Sequence, residues 1–100
     1  MLIRKKSPSH PGGILKRLYL NPLNISNKNF ASIIGVSKTT VSRLTNEQTG
    51  ITPNMALKLS RAFETSPELW LNLQRNYDLW HAMNRNTTWK SIQSILILKD

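Results

Sequence analysis

Residues 27–46 read NKNFASIIGVSKTTVSRLTN, and the reading of this stretch decides the fold. Two short helical patterns lie in it, joined at Gly35. Phe30, Ala31 and Ile34 share one face of the first, while Val41 and Leu44, one turn apart, point back at it from the second. A glycine just past the last apolar residue of a helix suits a left-handed backbone, which is cheap only without a Cβ. Ser37 then stands where a hydroxyl caps a new helix. Ala31 is small where the second helix must cross, and Gly35, Val41 and Leu44 follow it at four, ten and thirteen residues. Short helices with this spacing match the helix-turn-helix, whose second helix enters the DNA major groove. The outer face of that second helix is Lys38, Thr39, Thr40, Ser42 and Arg43, with no large apolar group. An ordinary helical hairpin with a solvated outer face would carry the same pattern, so the motif has to be weighed with the rest of the chain.

Charge tips the balance. The chain of 100 residues has a formal charge of +9, and residues 1–46 hold eight Lys or Arg and no Asp or Glu. All five acidic residues come later, at Glu47, Glu64, Glu68, Asp78 and Asp100. A half-chain of one sign that contains the recognition helix is the footprint of a phosphate-binding surface. Basic solubility, or affinity for an acidic protein or membrane, is the alternative, and the motif favours DNA over both. One hundred residues suit one small domain. With no cysteine, disulfides and thiolate metal sites are excluded. No apolar run is long enough for a bilayer, and Arg4, Lys5 and Lys6 are not followed by the apolar stretch of a signal peptide, so the expected setting is cytoplasmic, with no membrane partner.

Outward from the motif, residues 1–9 are polar and basic and read as an arm, either frayed or ordered on contact. His10-Pro11-Gly12-Gly13 reads as a breaker cluster, after which Ile14, Leu15, Leu18 and Tyr19 give one buried face of a first helix and Lys16 and Arg17 point outward. Asn21-Pro22 ends that helix, and Ser26 caps the next. Beyond the motif, residues 47–52 form a loop turned at Gly50. Thr52-Pro53 and Ser66-Pro67 each place a capping hydroxyl before a proline at the first helical position. The fourth helix turns Met55, Leu59, Ala62 and Phe63 inward, and Glu68 suits the positive end of the fifth. That fifth helix, residues 67–84, spreads Leu69, Trp70, Leu71, Leu73, Tyr77, Leu79 and Trp80 over more than one stripe. It reads either as partly facing another protein or as a thick core helix. In residues 87–100, Trp89, Ile92, Ile95 and Leu96 fit a helical stripe, yet residues 95–98 read equally as a strand. Either way the run is expected to be covered, since an exposed one invites pairing.

The order of parts resembles the Xre/Cro-like helix-turn-helix proteins and, within them, the HigA/VapI-type antitoxins of bacterial toxin–antitoxin pairs. HPGGILK (residues 10–16), the motif itself, GITPNMALKLSRAF (residues 50–63) and SPELWLNLQRNYDLW (residues 66–80) carry the resemblance. The last is the most specific, because a bare helix-turn-helix does not require it. The resemblance covers residues 10–80 and implies an all-α, five-helix, lambda-repressor-like DNA-binding domain over residues 10–84, flanked by the basic arm of residues 1–9 and a tail over residues 85–100. It also implies a homodimer that silences a RelE/HigB-like, mRNA-cleaving toxin and represses its own operon. The family's tail is usually charged and this one is apolar, so no tail role is carried over, and no toxin contact is assigned to a residue. A stand-alone Xre-type repressor and an interaction-only antitoxin are the competing readings. An enzyme is rejected: His10 and His81 are lone, no carboxylate pair has catalytic spacing, and no cofactor or metal ligand set is evident.

On this reading Ser37, Lys38, Thr39, Thr40, Ser42 and Arg43 lie in the major groove, with Arg43 and Lys38 bridging guanine acceptors and the hydroxyls meeting base edges or a thymine methyl. Ser26, Asn27 and Lys28 hold phosphate at the start of the preceding helix. One such helix reads few base pairs, so a twofold dimer with half-sites about 34–36 Å apart is expected. Leu71, Tyr77 and Trp80 are the residues assigned to the dimer or partner contact.

Overall fold

The computed structural model describes residues 6–98. Five helices make the domain: α1 (Pro11–Ile14, continuing without a break as a π-helix over Leu15–Leu20), α2 (Asn27–Ile34), α3 (Lys38–Thr45), α4 (Pro53–Phe63) and α5 (Pro67–Arg85). A 3-10 turn (Thr88–Ser91) and one further helical turn, α6 (Ile95–Leu98), follow.

Four of the expected caps fall where hydroxyl spacing put them. Ser26, Ser37, Thr52 and Ser66 each accept the backbone N–H three residues on, and Pro53 and Pro67 open their helices. Gly35 ends α2 in the left-handed region at φ 72°. The α2–α3 pair then packs through Phe30, Ala31, Val41 and Leu44, all buried, against Leu15, Leu20, Ile51, Met55, Ala56, Leu59 and Trp70. Trp70 is fully buried, and its indole N–H donates to Thr65 Oγ1 at 2.8 Å, so the largest core side chain leaves no polar atom unmatched. Tyr19 bridges Phe63 and Trp70, with ring centroids 4.7 and 5.3 Å away, and Phe63 stacks in turn on Phe30.

The first helix ends at Asn21 as read, but differs from its sequence reading at its start and in its register. His10-Pro11-Gly12-Gly13 does not precede the helix but starts it: Pro11 is the first helical residue, and His10 caps it by accepting the Gly12 N–H on Nδ1 at 2.9 Å. Gly12 sits directly against the Leu44 carbonyl of α3, where a Cβ would collide with backbone, while Gly13 faces the side chains of Arg17 and Glu47. Further on, the chain closes i→i+5 hydrogen bonds, such as Asn21 N–H to Lys16 carbonyl at 2.9 Å. The wider turn puts Leu15 and Leu20, five apart, on the buried face and rotates Leu18 out to 66% exposure; Ile14 and Tyr19 are half-buried. An α-helical period could not have found that face.

Three smaller corrections follow. In α4, Ala56 takes the buried place expected of Ala62, which is exposed. The loop after α3 turns at Glu47, φ 61°, and not at Gly50. In the tail, residues 95–98 take the helical one of the two readings, but Trp89, Ile92, Ile95 and Leu96 are exposed, where cover was expected. At the other end, Pro8 is buried and Ser7 Oγ lies 3.1 Å from His81 Nε2, so the arm touches α5 at Ser7; Arg4 and Lys5 fall outside the described residues.

Candidate nucleic-acid interface

α3 divides cleanly by helical period. Val41, Leu44 and Thr45 face inward and are buried. Lys38, Thr39, Thr40 and Arg43 are exposed on the other side, and Ser42 is half-buried between. Thr39 and Arg43 lie four apart, as do Lys38 and Ser42, so these side chains form two adjacent rows projecting from one surface. Asn46, exposed and three residues past Arg43, extends the same stripe; the sequence reading stopped at Arg43, although the period would have included it.

The start of α3 is pinned by its own cap. Ser37 Oγ accepts the Thr40 N–H at 3.1 Å and lies 2.8 Å from Thr40 Oγ1. These two assigned hydroxyls are therefore paired with each other, which orients the first turn and leaves Lys38 and Thr39 as its unencumbered outer groups. At the far end the Arg43 carbonyl accepts the Gln48 N–H at 2.8 Å, so the turn carrying the guanidinium is tied to the following loop.

α2 presents its N-terminus beside this surface. Ser26 Oγ accepts the Asn29 N–H at 3.1 Å, and helix geometry gives the N–H groups of Asn27 and Lys28 no acceptor within α2. Free N–H groups at the positive end of a helix, with the Lys28 ammonium beside them, suit a phosphate. Asn27 behaves differently from its neighbours: it is half-buried, and its amide donates to Thr45 Oγ1 at 3.3 Å. Thr45 was not singled out from sequence, although its place one turn after Val41 puts it on the inward face.

Behind α3 stands a small aromatic and acid–base cluster. The His10 ring meets Tyr77 edge-on at 4.8 Å, and Tyr77 packs on His81 at 4.2 Å. Burial holds the His10 imidazole below its ordinary pKa of 6.5 and outweighs the opposing pull of the Glu47 and Asp78 carboxylates and the Thr49 backbone; His81 lowers it further. Of the three residues assigned to partner contact, Tyr77 is therefore engaged within the chain, Leu71 lies half-buried against the core, and Trp80 is half-buried with its ring edge-on to His81. Among the described residues no three His, Asp or Glu side chains converge as a metal site would require, and no helix is long and apolar enough to cross a membrane.

Known proteins share this arrangement. The helix-turn-helix family matches residues 15–70, more than half of the chain. Antitoxin HigA-1 of Vibrio cholerae is 41% identical over 81 residues, covering 81% of this chain and 76% of its own. Among solved structures, the Pseudomonas aeruginosa antitoxin HigA with the higBA promoter is similar at a TM-score of 0.80 and 38% identity, over 88% of this chain and 98% of that one. Antitoxin GraA in complex with its operator gives a TM-score of 0.79 and 33% identity, over 95% and 98%. Motif, frame and relatives agree, and the chain belongs to the Xre-like helix-turn-helix family, in its HigA antitoxin branch.

Proposed function

We propose that the protein is a cytoplasmic antitoxin that represses its own operon by inserting α3 into the major groove of operator DNA, and that it silences a RelE/HigB-like toxin. The observation that carries the DNA half is the joint surface of α2 and α3. A capped helix start with free N–H groups and Lys28 stands beside an outward stripe of Lys38, Thr39, Ser42 and Arg43. The frame is the one that HigA of Pseudomonas aeruginosa presents to the higBA promoter. Phosphate contacts at Ser26, Asn27 and Lys28 fix register, and Lys38 and Arg43 bridge guanine acceptors, with Thr39, Thr40 and Ser42 on neighbouring edges. Ser37 acts chiefly through its cap.

A homodimer supplies the second reading helix, as a palindromic operator requires. We assign its contact to α5 at Leu71, Tyr77 and Trp80; Leu71 borders a shallow hollow with Ile51, Gln74, Arg75, Asp78, Leu79 and Ala82, and Trp80, nine residues on, lies on the opposite flank of the helix. Tyr77, already packed on His10, would support this contact from behind.

The test is binding to a duplex from upstream of the gene across a salt series, beside a scrambled duplex. Sequence-dependent binding that falls steeply with salt supports the repressor. Equal affinity for both duplexes would leave the interaction-only antitoxin. Co-purification of a small basic protein encoded next to the gene, with loss of its mRNA cleavage on binding, tests the toxin half; the absence of such a neighbour would favour a stand-alone repressor.

A further inference from the structure

The contact between Asn27 and Thr45 joins two helix ends that the rest of the motif leaves apart. α2 and α3 are hinged at Gly35, whose left-handed backbone sets the turn. The start of α2 and the end of α3 lie at the other side of that hinge, 18 residues apart in sequence. There Asn27 Nδ2 donates to Thr45 Oγ1 at 3.3 Å, and the same hydroxyl donates to the Val41 carbonyl at 3.0 Å, with the Ser42 carbonyl 3.2 Å away. One hydroxyl thus accepts from α2 and donates into α3. It is 5% exposed, so it cannot itself reach a ligand on the surface.

We infer that Asn27 and Thr45 form a polar strut that fixes the angle of the recognition helix, making the buried Thr45 a positioning residue for sequence-specific DNA binding. The inference rests on the operator-binding reading above and assigns regulation of its specificity to a residue off the DNA surface. The α2 start is the phosphate anchor and α3 the reading element, and base readout demands that the two keep a fixed relation. Phosphate contacts tolerate small rotations, because charge attraction is weakly directional. Bidentate contacts to base edges do not tolerate them. Release of the strut lets α3 pivot at Gly35, which displaces Arg43 relative to Lys28 while leaving general affinity for DNA intact. The role of Asn27 is then chiefly to hold Thr45, and only secondarily to touch phosphate.

Thr45→Val removes the hydroxyl at constant shape, and Thr45→Ser keeps it. The measurements are dissociation constants of the full-length protein for the upstream duplex and for its scrambled counterpart at one salt concentration, with a thermal melt of each variant. Asn27→Ala and Thr45→Val should each lower the ratio of specific to scrambled affinity roughly three- to tenfold, the effect of one hydrogen bond. In the specific-to-scrambled ratio the double variant should be no worse than either single one, Thr45→Ser should restore the ratio, and scrambled-duplex affinity should hold in Thr45→Val, whose side chain is buried. An unchanged ratio in Thr45→Val alongside a fall in Asn27→Ala would overturn the inference, since Asn27 would then act on DNA alone. An equal fall on both duplexes that tracks the melting temperature would overturn it in favour of a merely structural contact. A wild-type protein that does not distinguish the two duplexes would sink the operator reading itself, and the inference with it.

Discussion

Gly12 and the carbonyl of Leu44 lie so close that a Cβ on Gly12 would fall 1.7 Å from the Leu44 oxygen. The first helix therefore rests directly on the backbone of the last turn of α3, with no side chain between them. Gly12→Ala must push the recognition helix away or unseat α1. The obstacle is backbone, which cannot rotate aside, so the loss should reach or exceed the upper end of the about 1–3 kcal/mol typical of overpacking. A thermal melt of the variant checks this, and a melting temperature within a degree of wild type would contradict the close approach.

His10 makes stability depend on pH. Its folded-state pKa lies below the ordinary 6.5, because burial disfavours the imidazolium and Nδ1 is already used as an acceptor. The unfolded chain therefore binds the proton more readily. The contribution of His10 is fully present above pH 6.5 and is lost as pH falls below 6.5 and through the folded value. Urea denaturation at pH 7.5 and at successively lower pH should show this fall. His10→Asn, which retains a capping oxygen but does not titrate, should flatten it.

Arg43→Ala should weaken binding to the upstream duplex by roughly ten- to a hundredfold, the worth of a bidentate base contact, with little change in melting temperature. Arg61→Ala removes the same charge from α4, beside Ile33, Ile34 and Leu57, away from the α3 stripe. Its effect on specific affinity should be much smaller. Equal effects from the two variants would reduce the interface to net charge.

Glu64 closes α4 with φ 53°, a left-handed backbone in a residue with a Cβ. Such a conformation costs about 1–2 kcal/mol for most residues and almost nothing for glycine. The side chain is exposed, so Glu64→Gly should stabilise the domain, by about 1 kcal/mol or less after the entropy of the more flexible unfolded chain is set against it. Chemical denaturation measures the difference, and destabilisation would point to a role for the carboxylate.

Features that depend on neighbours in sequence were legible. Ser26, Ser37, Thr52 and Ser66 cap because a hydroxyl sits three residues before a free N–H, and Gly35 turns because the chain needs a positive φ there. The outward row from Lys38 to Arg43 followed from the inward pair Val41 and Leu44. Features set by distant partners were not legible. Gly12 reads as a helix breaker until Leu44 is seen against it. Leu18 reads as core until the hydrogen-bond register widens and turns it out. The period puts Thr45 on the inward face of α3 and Asn27 at the start of α2, but only the crossing of the two helices brings their side chains together. The tail after α5 carries an apolar pattern that fits helix and strand alike, and its Ile92, Ile95 and Leu96 are exposed, so the pattern by itself neither chose the element nor named a contact.

The π-helical stretch Leu15–Leu20 has a consequence for chain length. Between two core contacts it spends five residue steps where an α-helix spends four. Leu18, the exposed member, supplies the surplus. Removal of that one residue would let the segment close as an ordinary α-helix with Leu15 and Leu20 still on a common face. The domain should thus survive a shortening here that would throw every later contact out of phase in α2, α3 or α4.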